Sequence, residues 1–363
     1  MKKSKVVLVI DGPDPDNYAA LLAALSATMC YELVAVIMTG RPVSTVPKAK
    51  PYELNPHASR AVRRDNALHA KGILMRHGGE RVPVFSGGLA PYSTVPHDLH
   101  IHERVTDVFD DSHAGHELKG DITDAVVYLA SFDETIHVIC GGPLTDVAYL
   151  MRHPMLMHKL GVAVAQLGMF GINPDVKVLA GGRRQFNALA DPAAARDVLL
   201  HYAGPFYFIP TDVTKAPELA FGGADEIAAL SDSSAAQELT AMYRQAWPVM
   251  WGGRTPSIPA HLHDIHPAVF MDQLLRDVPM HHLRYSRDGH DRIGHYTVSP
   301  VGIAHVPHLP HEEDRWGEID LGEADDNQPP RFLVDGFANE QFRPLLAEIL
   351  NTITTSSPLP ALV

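Results

Sequence analysis

The stretch VVLVIDGPDPDNYAALLAAL, residues 6–25, decides the fold of this chain. Its first five residues are apolar and mostly β-branched, a composition typical of a short strand buried on both faces of a parallel sheet. Its last seven residues, 19–25, are alanine and leucine, which favour a helix, and Asp16 or Asn17 can cap the start of that helix. The stretch therefore predicts a strand, a tight turn and a helix in immediate succession.

The turn in this stretch carries three carboxylates, those of Asp11, Asp14 and Asp16. Carboxylates a few ångströms apart repel each other by about 1 kcal/mol or more per pair once water is partly excluded. A bound hard cation relieves that repulsion, because crowded oxygen ligands suit Ca²⁺ or Mg²⁺. A solvated turn with Asp14 directed outward is the alternative, and a short motif alone does not decide between the two.

The composition argues against several classes of protein. The chain has 363 residues, of which 45% are hydrophobic, and its formal net charge of −13 is not that of a nucleic-acid-binding protein. No apolar run approaches the roughly 20 residues of a membrane-spanning helix, and the run after MKKSK is too short for a signal peptide. We therefore expect a cytoplasmic protein with no membrane or nucleic-acid partner. Cys30 and Cys140, the two cysteines, predict no disulfide framework.

Strand and helix patterns alternate along the rest of the chain. Further strands are expected at residues 32–38, 82–85 and 136–140, in VAVAQLGMFG from residue 162 and at residues 206–210; helices are expected at residues 61–76, 122–132, 193–202, 225–250, 267–275 and 339–352. This alternation predicts an α/β fold with a doubly wound, mainly parallel central sheet, in which ligands bind outside the carboxyl ends of the strands. We expect one domain over residues 1–355, with a helical, loop-rich C-terminal third and an acidic surface excursion at residues 309–330. The proline-rich connection after the second strand is expected to form a lid.

Two further segments carry side chains suited to a site. Tyr243, Trp247 and Trp251 recur every four residues and share one face of a helix. Core packing is the simpler explanation for this face, and stacking on a nucleobase is the alternative. The turn HLHDIH, residues 261–266, holds three histidines, and imidazoles suit zinc.

Motifs spread over most of the chain resemble those of the nucleoside hydrolase family, the inosine-uridine preferring N-ribohydrolases. The opening DGPDPDNYAAL is similar to the family's DxDPGxDDAxAL, and GPLTD at residues 142–146 to its Gly-Pro-Leu-Thr-Asn turn. QFNALADP at residues 185–192 resembles Glu-Phe-Asn followed by Asp-Pro, and HDIHPAV at residues 263–269 resembles His-Asp before an Ala-Val helix. FLVDGFANEQFRPLLAEIL at residues 332–350 is similar to the family's last strand and helix. We therefore expect a divergent member of this family.

The resemblance implies a Rossmann-like nucleoside hydrolase fold and hydrolysis of the N-glycosidic bond of a ribonucleoside or related N-riboside by a metal-activated water. It implies calcium ahead of magnesium or zinc, a small nucleoside-like substrate, a role in purine or pyrimidine salvage, and a homodimer or homotetramer. A member of the fold that binds a ligand without catalysis, or acts on an altered substrate, is the alternative. A magnesium-dependent phosphatase with Asp11 as nucleophile is disfavoured, because Pro13 stands where the second aspartate belongs.

The resemblance fits the opening motif in two registers. Matched without gaps, Asp11 is the general base and a metal ligand and Asp16 is a second ligand, with Asp14 able to substitute from the turn. Matched through DNYAAL, Asp16 instead binds the ribose and Asn17 is the ligand. Because an amide offers one oxygen where a carboxylate offers two, calcium affinity falls in the second register. We prefer the first.

The other motifs imply the rest of the site. The carbonyl of Gly141 and the carboxylate of Asp264 complete the metal ligands, and His263 protonates or steers the leaving base. The residues expected to contact the substrate are Asp14, Asn17, Asn173, Gln185, Asn187, Trp247 and Trp251. Gln185 replaces the family's usual glutamate, and Arg41 stands where an asparagine is usual. These departures lie in the site rather than in the scaffold and predict a changed sugar or leaving group, or a member that has lost hydrolysis.

Overall fold

Eleven β-strands form a single sheet in the part of the chain that the computed structural model describes. The described residues are 3–12, 15–39, 56–88, 116–173, 176, 183–250, 261–277, 292–325 and 327–353. The strands are β1 (Ser4–Ile10), β2 (Tyr31–Met38), β3 (Val84–Ser86), β4 (Gly120–Asp121), β5 (Ile136–Cys140), β6 (Leu160–Gln166), β7 (Phe206–Ile209), β8 (Arg292–Ile293), β9 (Tyr296–His305), β10 (Asp320–Gly322) and β11 (Arg331–Phe337). The helices are α1 (Pro15–Leu25), α2 (Pro56–Arg76), α3 (Ile122–Ala130), α4 (Thr145–Arg152), α5 (Phe186–Ala190), α6 (Pro192–His201), α7 (Thr211–Thr214), α8 (Ala224–Ala228), α9 (Ser234–Met250), α10 (Ile265–Asp277) and α11 (Phe342–Asn351). Short 3₁₀ helices lie at Pro217–Leu219, Pro310–Arg315 and Asn339–Gln341.

The sheet is mainly parallel and is wound in both directions from its middle. Its order is β10-β9-β11-β7-β6-β5-β1-β2-β3-β4, with β8 paired to β9. β1 pairs in parallel with β2 on one side and with β5 on the other, whereas β9 runs antiparallel to its partners. The predicted α/β fold with a doubly wound sheet is confirmed. Because the direction of winding reverses between β1 and β5, the carboxyl ends of these two strands flank a crevice.

The side chains of β1 explain the two layers of helices. Successive residues of a strand point to opposite faces of the sheet. Val6, Leu8 and Ile10 accordingly pack with α1, α2, α9, α10 and α11, whereas Val7 and Val9 pack with α3, α4 and α6. All five side chains are fully buried, which is why the strand is apolar without alternation.

Four parts of the structure differ from the sequence-based expectation. The helix expected at residues 225–250 is two helices, because the hydroxyl of Ser233 accepts a hydrogen bond from the amide of Ala236 (3.2 Å) and so starts a new one. The sequence analysis assigns no helix directly after the strand at residues 206–210, where the structure has the one-turn helix α7. The strands β4 and β8 have two residues each, too few to show periodicity.

Several predicted features lie outside the described residues. They are Asp14, Arg41, Trp251, the side chain of Trp247 and the proline-rich connection at residues 40–55. Tyr243, which is predicted to share a helix face with Trp247 and Trp251, is 5% exposed and packs in the core. No helix in the described ranges is both long and apolar enough to cross a membrane.

The acidic segment at residues 309–330 folds against the sheet. It contains the 3₁₀ helix Pro310–Arg315 and strand β10, which pairs with β9. Trp316 within it is buried, whereas Glu323 and Asp325 are exposed. The extent of the domain and of this excursion stays a prediction.

A buried ion cluster ties α2 to α9. The Nε2 of His77 lies 2.6 Å from Oε2 of Glu238, and the guanidinium of Arg76 donates to both oxygens of the same carboxylate. Burial by itself raises the pKa of Glu238, but the hydrogen bonds from His77 and Arg76 outweigh burial and lower that pKa from 4.5 to about 2. Glu238, 7% exposed, is therefore charged and paired at neutral pH.

Replacing Glu238 by glutamine is expected to lower the free energy of unfolding by about 3 kcal/mol at pH 7, because each unit of pKa shift corresponds to about 1.4 kcal/mol. The folded-state pKa lies below the unfolded value, so this contribution is complete above pH 4.5 and is lost as the pH falls towards about 2. Urea unfolding of both proteins between pH 7 and pH 3 should show a shrinking difference. Asp225→Asn, which removes an exposed ion pair with Arg244, is the control and should change stability little. A difference that does not vary with pH would contradict this account.

Candidate active site

Two buried carboxylates lie where β1 and β5 end. Asp11 directly follows β1 and is 2% exposed, and Asp264 directly precedes α10 and is 4% exposed. Burial raises the pKa of the Cys140 thiol at the end of β5, and the nearby charges of Asp264 and Asp11 raise it further. Both residues therefore lie close to the end of β5, beside the point where the sheet changes direction.

Two glycines let these carboxylates approach the turn after β5. A Cβ atom at Gly141 would lie 2.9 Å from the Cγ of Asp264. A Cβ atom at Gly142 would lie 3.0 Å from the Cβ of Asp11 and 2.7 Å from the Cγ2 of Thr39. These contacts are closer than van der Waals packing allows, so a larger residue at either position displaces its neighbours. Asp11 and Asp264 thus pack against consecutive residues of one turn.

If Asp11 is the general base that the family resemblance implies, Gly142→Ala is expected to lower the catalytic efficiency by about 100-fold, because a displacement near 1 Å of a catalytic group costs that much. The added methyl group meets Asp11 and Thr39, both of which are buried. Gly223→Ala is the matched control, since a Cβ atom there meets nothing within 4 Å. Steady-state kinetics of the two variants, with circular dichroism to confirm folding, measure the difference; equal activities would contradict the close approach.

The turn after β1 is held by asparagine side chains. Asn17, 1% exposed, accepts a hydrogen bond through Oδ1 from the backbone N–H of Asp11 (3.3 Å), and Nδ2 of Asn66 donates to the Asp11 carbonyl (3.4 Å). Gly12 has φ +33°, a conformation that favours glycine. Asp16 lies half-exposed in the first turn of α1, and its Oδ1 accepts from the N–H of Asn17 (3.1 Å). Which register of the opening motif applies stays a prediction.

An amide network joins the residues expected to bind the sugar. Nδ2 of Asn187 donates to the carbonyl of Gly141 (3.2 Å) and to Oε1 of Gln166 (3.0 Å). Nε2 of Gln185 donates to the same Gln166 oxygen (2.7 Å), and Gln166 in turn donates to the hydroxyl of Thr211 (3.2 Å). A glutamate at position 185 would have no N–H to donate to the Gln166 oxygen, so the amide of Gln185 suits this contact where a carboxylate does not. The sequence analysis did not select Gln166. The feature that could have identified it is a polar residue at the end of an otherwise apolar strand.

His263, the residue before Asp264, is an uncharged histidine. Its Nδ1 lies 2.7 Å from the hydroxyl of Thr214 at the end of α7. Burial lowers the pKa of His263 well below 6.5, and the nearby charge of Lys215 lowers it further. The imidazole therefore carries a single N–H at neutral pH.

The three histidines of HLHDIH do not converge. The rings of His261 and His263 are stacked, with centroids 5.6 Å apart. His266 instead stacks on Phe342 at 4.8 Å, and its Nδ1 lies 3.1 Å from the hydroxyl of Tyr296. The zinc site considered from the sequence does not form among these residues.

The donors that gather in the crevice suit a hard cation. The carboxylates of Asp11 and Asp264 and the carbonyl of Gly141 are oxygen donors, which Ca²⁺ and Mg²⁺ prefer. Within the described ranges, no group of three or more histidine, cysteine, aspartate or glutamate side chains is placed to hold a metal ion. The third predicted carboxylate, that of Asp16, therefore does not join the other two in this arrangement. The oxygen donors present therefore fit the metal that the resemblance implies, and they form part of the ligand set expected for it.

Asn173, the remaining predicted sugar contact within the described residues, lies in the loop after β6. Its Nδ2 is 3.4 Å from the carbonyl of Asp212 in α7. The Asp212 carboxylate accepts hydrogen bonds from the N–H groups of Phe170 (2.6 Å) and Gly171 (2.7 Å). Asp212 thus fastens the loop after β6 to the end of β7, a role that sequence reasoning did not find.

A separate cavity of about 830 Å³ lies beside β3 and α4. Its lining includes Asp146, a fully buried carboxylate whose pKa is raised by burial. Oδ1 of Asp146 accepts from the N–H of Gly88 (2.6 Å). Asp11 and Asp264 do not line this cavity, so it is distinct from the crevice between β1 and β5.

Comparison with known proteins gives a family match and a fold match. A sequence model of inosine-uridine preferring nucleoside hydrolases matches residues 59–311. A search of curated protein sequences finds no match.

Solved structures share the fold over nearly the whole chain. A plant nucleoside hydrolase is 16% identical with a TM-score of 0.65, covering 97% of this chain and 99% of that one. An inosine-uridine preferring nucleoside hydrolase from Bacillus anthracis is 17% identical with a TM-score of 0.63, covering 96% and 100%. A purine-preferring ribonucleoside hydrolase from Gardnerella vaginalis is 14% identical with a TM-score of 0.66, covering 96% and 99%. At these identities the likeness is one of fold.

Proposed function

Because the chain belongs to the inosine-uridine preferring nucleoside hydrolase family, we propose that it hydrolyses the N-glycosidic bond of a ribonucleoside or a related N-riboside. The family expected from the motifs is thereby confirmed. What supports the proposal is one feature of the crevice: the buried carboxylates of Asp11 and Asp264 pack against a single turn, Gly141 and Gly142, and His263 directly precedes Asp264. This combines proton-accepting groups with a candidate partner for the leaving base.

Asp11 is the general base in this proposal. Asn17 and Asn66 hold its backbone N–H and carbonyl, so the backbone that carries this carboxylate is held in place at the end of β1. It accepts the proton of the water that attacks the anomeric carbon. As the bond to the base lengthens, positive charge develops on the sugar ring, and the carboxylates of Asp11 and Asp264 stabilise that charge.

The metal in this proposal is a calcium ion. Asp11, Asp264 and the carbonyl of Gly141 would hold it, with Asp16, or Asp14 from the turn, supplying a further carboxylate. When bound, such an ion lowers the pKa of a neighbouring water and orients it. The hydrogen bond from Asn187 to the Gly141 carbonyl (3.2 Å) positions that oxygen.

His263 serves the leaving base in this proposal. The hydroxyl of Thr214 fixes the orientation of its ring, and its remaining nitrogen hydrogen-bonds to the departing base. Gln185 and Asn187 contact the sugar hydroxyls. Further proposed contacts to the substrate are Asp14, Asn17, Asn173, Trp247 and Trp251. A small nucleoside-like partner, a homodimer or homotetramer, a cytoplasmic location and a salvage role are proposals drawn from the family.

Release of base and sugar in phosphate-free buffer tests the proposed reaction. Purified protein supplied with Ca²⁺ is incubated with inosine, uridine and nicotinamide riboside, and free base and free ribose are quantified by chromatography. We expect equal amounts of both from at least one riboside, because water is the nucleophile. Release that requires added phosphate, or no release by folded protein, would refute hydrolysis of these ribosides and favour an altered substrate or a binding protein.

A further inference from the structure

Gln166 is a buried amide beside the candidate active site that none of the proposed steps uses. It ends β6 and is 4% exposed. Its Oε1 accepts hydrogen bonds from the two side chains proposed to contact the sugar hydroxyls, from Nε2 of Gln185 (2.7 Å) and from Nδ2 of Asn187 (3.0 Å). One oxygen atom of Gln166 therefore joins both sugar contacts, and its orientation bears on each of them.

The orientation of Gln166 follows from that of Asn187. Nδ2 of Asn187 also donates to the backbone carbonyls of Gly141 (3.2 Å) and Gln166 (3.0 Å). Because a backbone carbonyl only accepts, the Asn187 amide cannot turn over without losing both contacts, and its nitrogen stays directed at Gln166. Gln166 must then present its side-chain oxygen to Asn187. The side-chain nitrogen of Gln166 donates instead to the hydroxyl of Thr211 (3.2 Å).

The side chain at position 185 must meet two opposite demands. The oxygen of Gln166 requires a donor from it. The backbone N–H of Ala188, in α5, requires an acceptor, and Oε1 of Gln185 supplies it at 3.1 Å. A side-chain amide is both donor and acceptor, whereas a carboxylate only accepts. Gln185 is 6% exposed, so a missing partner leaves a buried polar group unpaired.

We propose that Gln166 is a positioning residue for the sugar contact of Gln185. It transmits the orientation that the Gly141 carbonyl imposes on Asn187, and it requires a neutral amide at position 185. The inference rests on the proposed function, since it deepens the sugar contacts of the same site. Gln166 acts through its two amide neighbours and not on the reacting atoms.

Four variants test this inference. Gln166→Met removes both polar atoms at nearly the same length, Gln166→Glu keeps an acceptor for both amides, Gln185→Glu removes the donor, and a double variant combines Gln166→Met with Gln185→Glu. Gln237→Met is the matched control, because Gln237 is an exposed glutamine on α9 that donates to the Asp232 carbonyl. Each protein, supplied with Ca²⁺, is assayed for ribose release from the riboside that the wild type hydrolyses fastest, and circular dichroism confirms its folding.

We expect Gln166→Met and Gln185→Glu each to raise KM by about 10-fold with a smaller change in kcat, because a misdirected side chain weakens a contact to the sugar rather than the chemical step. The double variant should have a KM within about twofold of the worse single variant, because either change alone already breaks the contact. Gln166→Glu should keep KM within about threefold of the wild type, and Gln237→Met should leave it unchanged.

Side-chain amide NMR signals test the positioning without turnover. In protein labelled with isotopic glutamine, the Gln185 signal is the one missing from the Gln185→Glu spectrum. Gln166→Met should shift this signal and speed its hydrogen exchange at least about 10-fold, since the N–H loses its acceptor. Gln237→Met should leave the Gln185 signal in place.

Losses that add up in the double variant would overturn the inference, as would an unshifted Gln185 signal in Gln166→Met. The two measurements also separate the two levels of inference. A shifted Gln185 signal without ribose release from any riboside would refute the proposed hydrolysis alone. Ribose release with an unshifted signal, or with additive losses, would refute the positioning role alone.

Discussion

Asp11→Asn is expected to lower kcat by about 1,000-fold or more, because removing a positioned general base costs about 10² to 10⁴ in rate and this residue is also a proposed metal ligand. Asparagine has nearly the same shape as aspartate, and the contacts from Asn17 and Asn66 go to backbone atoms, so the turn should persist. Initial rates of ribose release at saturating substrate measure the change.

The control for this variant is Asp335→Asn, an exposed aspartate on β11 that accepts from Ser299. It makes the same chemical change far from the crevice and should leave the rate unaltered. Full activity of Asp11→Asn would refute the mechanism. Lost turnover with retained riboside binding is the expected pattern for a missing base.

Asp264→Asn is expected to lower kcat/KM by about 100-fold or more, because in the proposed mechanism the carboxylate stabilises developing positive charge on the sugar in a buried site. An amide also offers one oxygen instead of two to a cation, so half-maximal activity should require more Ca²⁺ than in the wild type. Asparagine has nearly the same shape as aspartate and occupies the same space against Gly141. The expected loss of activity therefore comes from the lost charge and not from a steric clash. A calcium titration of activity measures both effects.

Asp272→Asn is the matched control for Asp264→Asn, since Asp272 lies on the same helix, α10, but contacts Cys30 and Arg276. It should leave the calcium requirement unchanged. If Asp264→Asn shifts neither kcat/KM nor the calcium requirement, Asp264 is not part of the site.

The sequence predicts the scaffold well because β1 and the turn that follows it are locally determined. VVLVI can only be buried on both faces, and an acidic turn after such a strand must lie at the carboxyl edge of the sheet. Gly141 and Asp264 are 123 residues apart by their numbers, so the family resemblance, not a local pattern, paired them. Their contact in the structure follows from α10 beginning next to the end of β5.

The contacts around the site are less predictable because they are made by residues distant in sequence. Gln166 joins Gln185, Asn187 and Thr211 only after β6, α5 and α7 have packed. The short α7 has no periodic signal, because a single turn is shorter than the repeat that reveals a helix.

The most direct test of the central claim is ribose release measured before chelation, after chelation and after re-addition of single metals. We predict that the protein releases ribose from at least one purine, pyrimidine or nicotinamide riboside, that a chelator abolishes release, and that Ca²⁺ alone restores it. Release that persists unchanged after complete chelation, or restoration by Zn²⁺ but not by Ca²⁺, would contradict a calcium-dependent N-ribohydrolase built on Asp11 and Asp264.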